Sequence, residues 1–439
     1  TASQNTAVGA RSQEATTTGA DNTSIGWGSL VLNTTGASNT ALGRSSLAAN
    51  TTASNNTAVG YHSLLANTTG TSNVALGALA LDANTTGDQN VGVGKNAIGT
   101  NTTGDANTAI GHGALPVATT ASNNTAVGFH SLVANTTGPN NVAVGATSLQ
   151  ANTTGSNQTA VGHGVLLANT TGYRNTAIGA AAMAANTTGI YNTAIGFTAL
   201  DANTTANSNT SMGYASMTTN TTGGTNVAVG AYALTANTTA SNNTAVGYDS
   251  LKANTTGGGN TAFGSAAGNS ITTSVNNTCI GTNADSNGTT GNGNISIGNN
   301  AQKSTVTSAG QCTLGDSAIT NLRCNDTSIS SLSDSRDKTN IVDIPLGLNF
   351  LNTVRPVSFD WDRRDGSMVG KKDFGFIAQE LKTAADATVY ADHMRLVQDD
   401  NPNKLEADPM KMFPILVKAI QELSAQNAAL TARIETLEA

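Results

Sequence analysis

The sequence predicts an all-β shaft, a parallel solenoid or β-roll of seventeen-residue coils, followed by a separate domain that closes with a coiled-coil helix. Three observations predict it. Glycine recurs at every seventeenth residue from Gly9 to Gly315, nineteen times without a break. Charge then rises abruptly: Asp, Glu, Lys and Arg make up 17 of the first 332 residues and 30 of the last 107. Finally, Leu416, Leu423, Leu430 and Leu437 are spaced by sevens at the C-terminal end.

Self-similarity at a fixed period marks one structural unit stacked on copies of itself. The core of the unit reads Asn-Thr-Ala-Val-Gly, as at Asn56 to Gly60, and later Asn-Thr-Thr-Gly, as at Asn67 to Gly70. The residue before the periodic glycine is apolar in all nineteen copies, from Val8 to Leu314. The residue before that is small, usually Ala, as at Ala58 and Ala75. Four residues before the glycine stands Asn in seventeen copies, with Gln158 and Gln311 the departures. Four after it stands Leu, Ile or Met in fourteen successive copies, Leu30 to Leu251.

Seventeen residues are too few for a helix-turn-helix repeat and suit one solenoid coil of two short strands and two turns. Asn-Thr-Ala-Val is strand-like, because β-branched side chains fit a pleated surface. Asn-Thr-Thr-Gly is a turn signature, since Gly tolerates positive φ and Asn bonds its own backbone. Val59 and Leu64 are expected to point inward, and Ala58 to face a closely approaching neighbouring chain. At about 4.8 Å per coil, nineteen coils give a shaft on the order of 90 Å long. The repeated Asn serves either as a hydrogen-bonded ladder or as a turn residue only. The thin core and the small position together suggest a bundle of identical shafts. From about residue 265 the Leu position becomes Gly268, Asp285 and Gln302, which predicts a taper or altered packing there.

The repeats resemble the head repeats of trimeric autotransporter adhesins. Those carry the same small-apolar-glycine signature, here Thr57-Ala58-Val59-Gly60, and the resemblance implies a left-handed parallel β-roll assembled as a trimer. Their period is usually shorter than seventeen. Similar repeats occur in phage fibre proteins.

Composition excludes several classes. A net charge of -7, with no cluster of Lys or Arg on the shaft, argues against nucleic-acid binding. No run of eighteen apolar residues is present to insert in a membrane. Cys279, Cys312 and Cys324 have no metal-ligand spacing, so neither metal nor cofactor is expected. Cys279 occupies a small position and reads as a buried free thiol. The Asn-Thr-Thr triplets fit a glycosylation acceptor pattern, which their turn role also explains. They would offer an edge of hydroxyls and amides to a carbohydrate. The region before Ser333 has no glutamate beyond Glu14, which argues against a polysaccharide-degrading spike. Thr1 opens inside a repeat, as expected of a fragment or a processed product with further sequence upstream.

The domains read as a shaft over 1–315, a junction over 316–332 and a C-terminal domain over 333–439, with the heptad helix at 412–439. The most informative short stretch is Ser333-Asp334-Ser335-Arg336-Asp337-Lys338. A lysine serves as general base for a serine hydroxyl when burial or a cationic neighbour such as Arg336 lowers its pKa. Arg336 is alternatively placed to steady an oxyanion. Read alone, the spacing is also that of an ordinary polar loop.

From Ser333 onward the chain resembles the intramolecular chaperone domain of phage tail spikes and fibres, first described for endosialidases and classed as a self-cleaving peptidase family. The features that carry it, in order, are Ser333-Asp334 with Arg336 and Lys338, Asn340-Ile341, Leu351, Pro356-Val357, Phe359-Asp360-Trp361, Phe374-Gly375-Phe376-Ile377-Ala378-Gln379-Glu380 and Pro414-Ile415-Leu416. The resemblance implies an α+β domain that trimerises, registers the fibre and cuts between Leu332 and Ser333. Ser333 would be the nucleophile and Lys338 its base, with Asp334 and Arg336 holding the loop. A histidine takes part in some members, which makes His393 a candidate, with an ordinary surface histidine the other reading. Some members also keep the domain attached. Glu380 is expected to be structural, capping its helix or linking chains, rather than catalytic.

The C-terminal helix carries an a/d pattern: Leu416, Leu423, Leu430 and Leu437 at d, and Ile420, Asn427 and Ile434 at a. Glu422 and Arg433 keep the outer face polar. Heptads alone fit a dimer or a trimer; the resemblance, with the needs of the shaft, implies a homotrimeric structural fibre of a virion tail, assembled in the host cytoplasm. It would join other tail proteins and meet a host carbohydrate or protein receptor. The alternative is a bacterial trimeric surface adhesin that keeps its assembly domain.

Overall fold

The computed structural model describes residues 2–316, 318–319, 333–364, 368–403 and 405–438. It divides into two compact units, Thr1–Gln302 with Ala309–Leu314, and Lys303–Ser308 with Gly315–Ala439.

The first unit is a parallel β-solenoid of nineteen three-residue strands, from β1 (Thr6–Val8) to β19 (Cys312–Leu314). Each strand pairs with the next in parallel at an offset of one repeat, as Thr57, Ala58 and Val59 pair with Val74, Ala75 and Leu76. The remainder of each coil is built from turns rather than a second strand.

The periodic glycine has a direct cause. Gly60 sits at φ +137°, and a Cβ there would lie 2.5 Å from the carbonyl oxygen of Gly77 in the next coil. Only glycine allows both that conformation and that approach. The Leu four residues later is also left-handed, with φ +50° at Leu64 and +51° at Leu132. An L-residue pays roughly 1–2 kcal/mol for that conformation. Complete burial of the side chain returns about 1.5–3 kcal/mol, and both leucines are fully buried.

The orientation of the strand corrects one expectation. Ala58, not Val59, points inward and is fully buried, and it shares the interior with Leu64. Thr57 and Val59 point outward, and the equivalents of Val59 in the neighbouring coils, Leu42 and Leu76, are 45% and 48% exposed. The reason is volume. One coil encloses room for one large side chain opposite one small one. At Gly92, which takes the small position, an added Cβ would already lie 3.3 Å from Leu81 Cγ. The small residue therefore fits the chain's own leucine rather than a neighbouring chain.

The asparagines form two ladders. In the first, the backbone N–H of Asn56 donates to Asn39 Oδ1 at 3.0 Å, and Asn56 Nδ2 donates to the Gly70 carbonyl at 2.9 Å. In the second, Asn67 Nδ2 donates to Asn50 Oδ1 at 3.0 Å and to the Gly70 carbonyl at 2.9 Å. Ladder and turn roles thus coexist. The asparagine of the Asn-Thr-Thr triplet at Asn67 is fully buried, so it is closed to a glycosyl donor. The Thr68 hydroxyl donates to the Thr85 carbonyl at 3.0 Å, while Thr69 is exposed.

Beyond residue 265 the strands keep their register through β19 rather than shifting. Gly268 vacates the Leu position, and Ile271 replaces the second-ladder asparagine and is fully buried. A Cβ at Gly268 would meet Ile271 Cδ1 at 3.1 Å and Cys279 Sγ at 3.4 Å. One exchange refills the space that the other empties. Its cost is at Asn254, whose Oδ1 is buried without a hydrogen-bond partner. Cys279 is buried and Cys312 exposed, while Cys324 lies outside the described residues.

The coupling at this site is open to a mutant cycle. Gly268→Leu alone should lower stability by about 1–3 kcal/mol through overpacking. Adding Ile271→Asn should recover most of that loss by restoring both the consensus core and the ladder. Denaturation midpoints of the two variants check it.

Candidate functional site

Within the second unit, the described residues of the C-terminal region resume at Ser333. A short 3-10 helix, Ser335–Asp337, follows Asp334, which caps it: the Asp334 carboxylate accepts from the Arg336 backbone N–H at 2.9 Å. The Arg336 guanidinium returns to the same carboxylate, with Nη2 to Oδ2 at 2.6 Å. This hydrogen-bonded clamp holds the Asp334 carboxyl below the usual aspartate range. The tight turn doubles the chain back, and Lys338 Nζ donates to Ser333 Oγ at 2.6 Å. Serine, lysine and clamp therefore come from six consecutive residues folded on themselves. Ser333 and Lys338 are both exposed. Leu332, the other side of the expected scissile bond, lies outside the described residues.

Behind this loop the core gathers Phe350 of α1 (Leu348–Leu351), Leu381 and Ala385 of α2 (Ala378–Asp386), Met394 of α3 (Ala391–Met394), and Ile415 of α4 (Phe413–Glu438). An antiparallel pair, β20 (Val357–Asp360) with β21 (Lys372–Gly375), carries two of the motifs singled out in the sequence. The unit is α+β. Residues 339–346, with Tyr390, Met394, Met410 and Ile415, border a cleft of about 600 Å³ that Lys338 and His393 both line. His393 thus shares a cleft with the loop lysine, a placement that sequence spacing did not reveal.

Glu380 lies in the first turn of α2 and pairs with Arg355, whose Nε donates to Oε2 at 3.0 Å. Its role within this chain is to tie α2 to the segment before β20. That pair holds the Glu380 carboxyl below its ordinary value.

Helix α4 presents two faces with different fates. Ile415 and Ala419 are buried in the domain core. Glu422, expected only to keep the helix polar, lies on the docked side: its carboxylate accepts from the Leu348 backbone N–H at 2.8 Å, at the start of α1. The carboxylate packs where a side chain at Gly347 would stand. Position in the heptad gave no hint of this, because the partner lies 74 residues away. The a/d residues Leu416, Ile420, Leu423, Asn427, Leu430, Ile434 and Leu437 are all exposed.

Residues 333–390 match the family model described as the chaperone of endosialidase. The C-terminal region carries a chaperone-of-endosialidase domain. Neither the curated proteins nor the solved structures contain a match to the chain. The matched span starts at Ser333 and includes the serine–lysine loop, β20, β21 and α2. No cluster of His, Cys, Asp or Glu suited to a metal ion occurs among the described residues.

Two measurements probe this geometry. Glu422→Ala removes a charged acceptor from the start of α1, at a cost of about 1–3 kcal/mol, and the Leu348 amide should exchange faster with solvent. For Asp334 the folded-state pKa is depressed, so the clamp's contribution is complete above the ordinary aspartate pKa. It is lost as pH falls through the lower, folded value. Carboxylate NMR of Asp334 should therefore titrate below the range of a free aspartate.

Proposed function

We propose that this chain is a structural fibre of a phage tail, part of the host-attachment apparatus, whose C-terminal domain assembles three chains in register and then cuts itself free. The observation that carries the reading is the open heptad seam on α4. Seven a/d residues lie in solvent, while docking to the domain is confined to Ile415, Ala419 and Glu422 on an adjacent side of the helix's first turns. An amphipathic seam of this spacing is satisfied by parallel copies of itself.

The solenoid supports the same assembly. Its outward apolar row, with Leu42, Leu76 and Ile110 more than 40% exposed, repeats once per coil. A partner with the same rise per coil matches it at every step, and a second copy of the chain has that rise. Nineteen near-identical coils make slips of one repeat nearly equal in energy. Long-range pairing is also slow to find. A compact assembly domain that follows the shaft in the chain supplies register and local concentration.

Scission would follow from the serine–lysine contact. Lys338, as the neutral amine, takes the Ser333 hydroxyl proton while Oγ attacks the Leu332 carbonyl carbon. Collapse of the tetrahedral adduct breaks the bond to the Ser333 nitrogen, which leaves as an amine after gaining a proton. Leu332 is then held as an ester on Oγ, and water hydrolyses it. Asp334 and Arg336 keep the turn closed. Loss of the nucleus that set the register would leave the assembled shaft kinetically trapped. The fibre would be built in the host cytoplasm, join other tail proteins and face a receptor.

The deciding experiment is denaturing electrophoresis and intact-mass analysis of the full chain beside Ser333→Ala and Lys338→Met. Wild type should yield pieces of 332 and 107 residues, and both variants should stay whole but trimeric. Wild type that remains whole after prolonged incubation rejects scission. Assembly is tested separately: Ile420→Asp with Leu423→Asp should abolish the trimer in native mass measurements. A trimer that survives them rejects the seam as its nucleus.

A further inference from the structure

The solenoid carries a second exposed row, distinct from the apolar stripe of the strands. At the turn just after the periodic glycine stand Phe197, Tyr214 and Tyr248, each about half exposed, with Tyr232 one residue further along its own coil. They occupy four successive coils. Ring centroids are 5.7 Å apart for Phe197–Tyr214, 5.3 Å for Tyr214–Tyr232 and 6.0 Å for Tyr232–Tyr248. The first pair is stacked, and Tyr232 stands edge-on to both tyrosine neighbours.

The coil does not need these rings. The same position is Ala78, Ala146 and Ala180 elsewhere, Ala231 in the Tyr232 coil itself, and Ser265, Thr282 and Asn299 towards the end. The strand stripe, by contrast, is apolar in all nineteen copies. A row required at every coil serves packing along the whole shaft. The position is aromatic at Trp27, Tyr61 and Phe129 as well, but rings follow one another through four successive coils only from Phe197 to Tyr248; so long an exposed row marks a local site, because large exposed apolar patches are otherwise rare.

We propose that Phe197, Tyr214, Tyr232 and Tyr248 form a stacking platform for a neutral, ring-based glycan. This rests on the reading of the shaft as facing a host surface. A sugar ring is apolar on its C–H faces and hydroxylated around its rim, which matches an apolar ring with a phenolic handle. Charge selects among glycans. The ionisable acids and bases between residues 197 and 252 are Asp201, Asp249 and Lys252. Lys252 is already paired with Asp249 at 2.9 Å and lies 5.3 Å from the Tyr232 ring centroid. The platform therefore has no net positive charge to hold a sialylated or phosphorylated chain. Between Trp27 and Tyr61, by contrast, the Arg44 guanidinium already lies against both rings, at 5.4 and 5.9 Å from their centroids.

The test is a glycan array of neutral and sialylated oligosaccharides, probed with the full chain and with Tyr214→Ala and Tyr248→Ala. Alanine already occupies this position in other coils, so both variants should fold. Wild type should bind neutral glycans, and each variant should bind them about tenfold more weakly. Wild type that binds no neutral glycan, prefers sialylated ones, or binds as its variants do overturns the proposal. Trimer content and processing at Ser333 are read on the same samples. Variants that fall to monomer make the row an interchain contact and also overturn it. Failure to bind by an assembled, processed shaft rejects the platform and leaves the fibre reading intact.

Discussion

The structure depends on the narrowness of a seventeen-residue coil. Its interior holds one leucine-sized side chain facing one alanine-sized one, and successive backbones touch at the periodic glycine. Leu64 and Ala58 fill the space, while the conformation and close contact at Gly60 leave no room for a Cβ. Everything else about the shaft follows from that limit. Buried asparagines can satisfy the turns only because the ladder runs from coil to coil, so each coil is completed by its neighbours. Where Gly268 breaks the pattern, Ile271 must break it too, and a single buried oxygen on Asn254 is left to bear the difference.

A core this thin forces the remaining apolar side chains outward. Val59 and its equivalents cannot fit beside the leucine, and so they form a row along the strand face. The same division of faces recurs in the second unit. Ile415, Ala419 and Glu422 fasten α4 to its domain, while the heptad residues from Leu416 to Leu437 remain open. Both units expose a regular apolar row beside a satisfied core. Self-assembly offers one physical explanation for the two rows together, and it gives the chaperone-of-endosialidase domain a problem to solve. A repeat that stacks well in one register stacks nearly as well one repeat away.

The serine–lysine loop shows how local a candidate site can be. Asp334 caps a single turn, Arg336 locks the cap, and Lys338 is returned to Ser333 within six residues. Such a site is readable in sequence because no distant element is required to build it. The cleft beside it is different. His393 reaches the same cleft as Lys338 only through the packing of α3 and the start of α4, and no spacing rule connects positions 338 and 393.

Period, strand position, turn position and the heptads were all legible in the residues, because each repeats at an interval that a regular backbone imposes. The direction in which the strand faces was not. Alternation says that Ala58 and Val59 point oppositely, but which one is inside is decided by the volume left beside Leu64. Likewise Glu422 looked like a solvent residue until α1 was placed against α4. Periodicity along a chain is a local property, so the sequence carries it openly. Which of two faces is buried depends on the volume that distant segments leave free, and only the folded chain settles that.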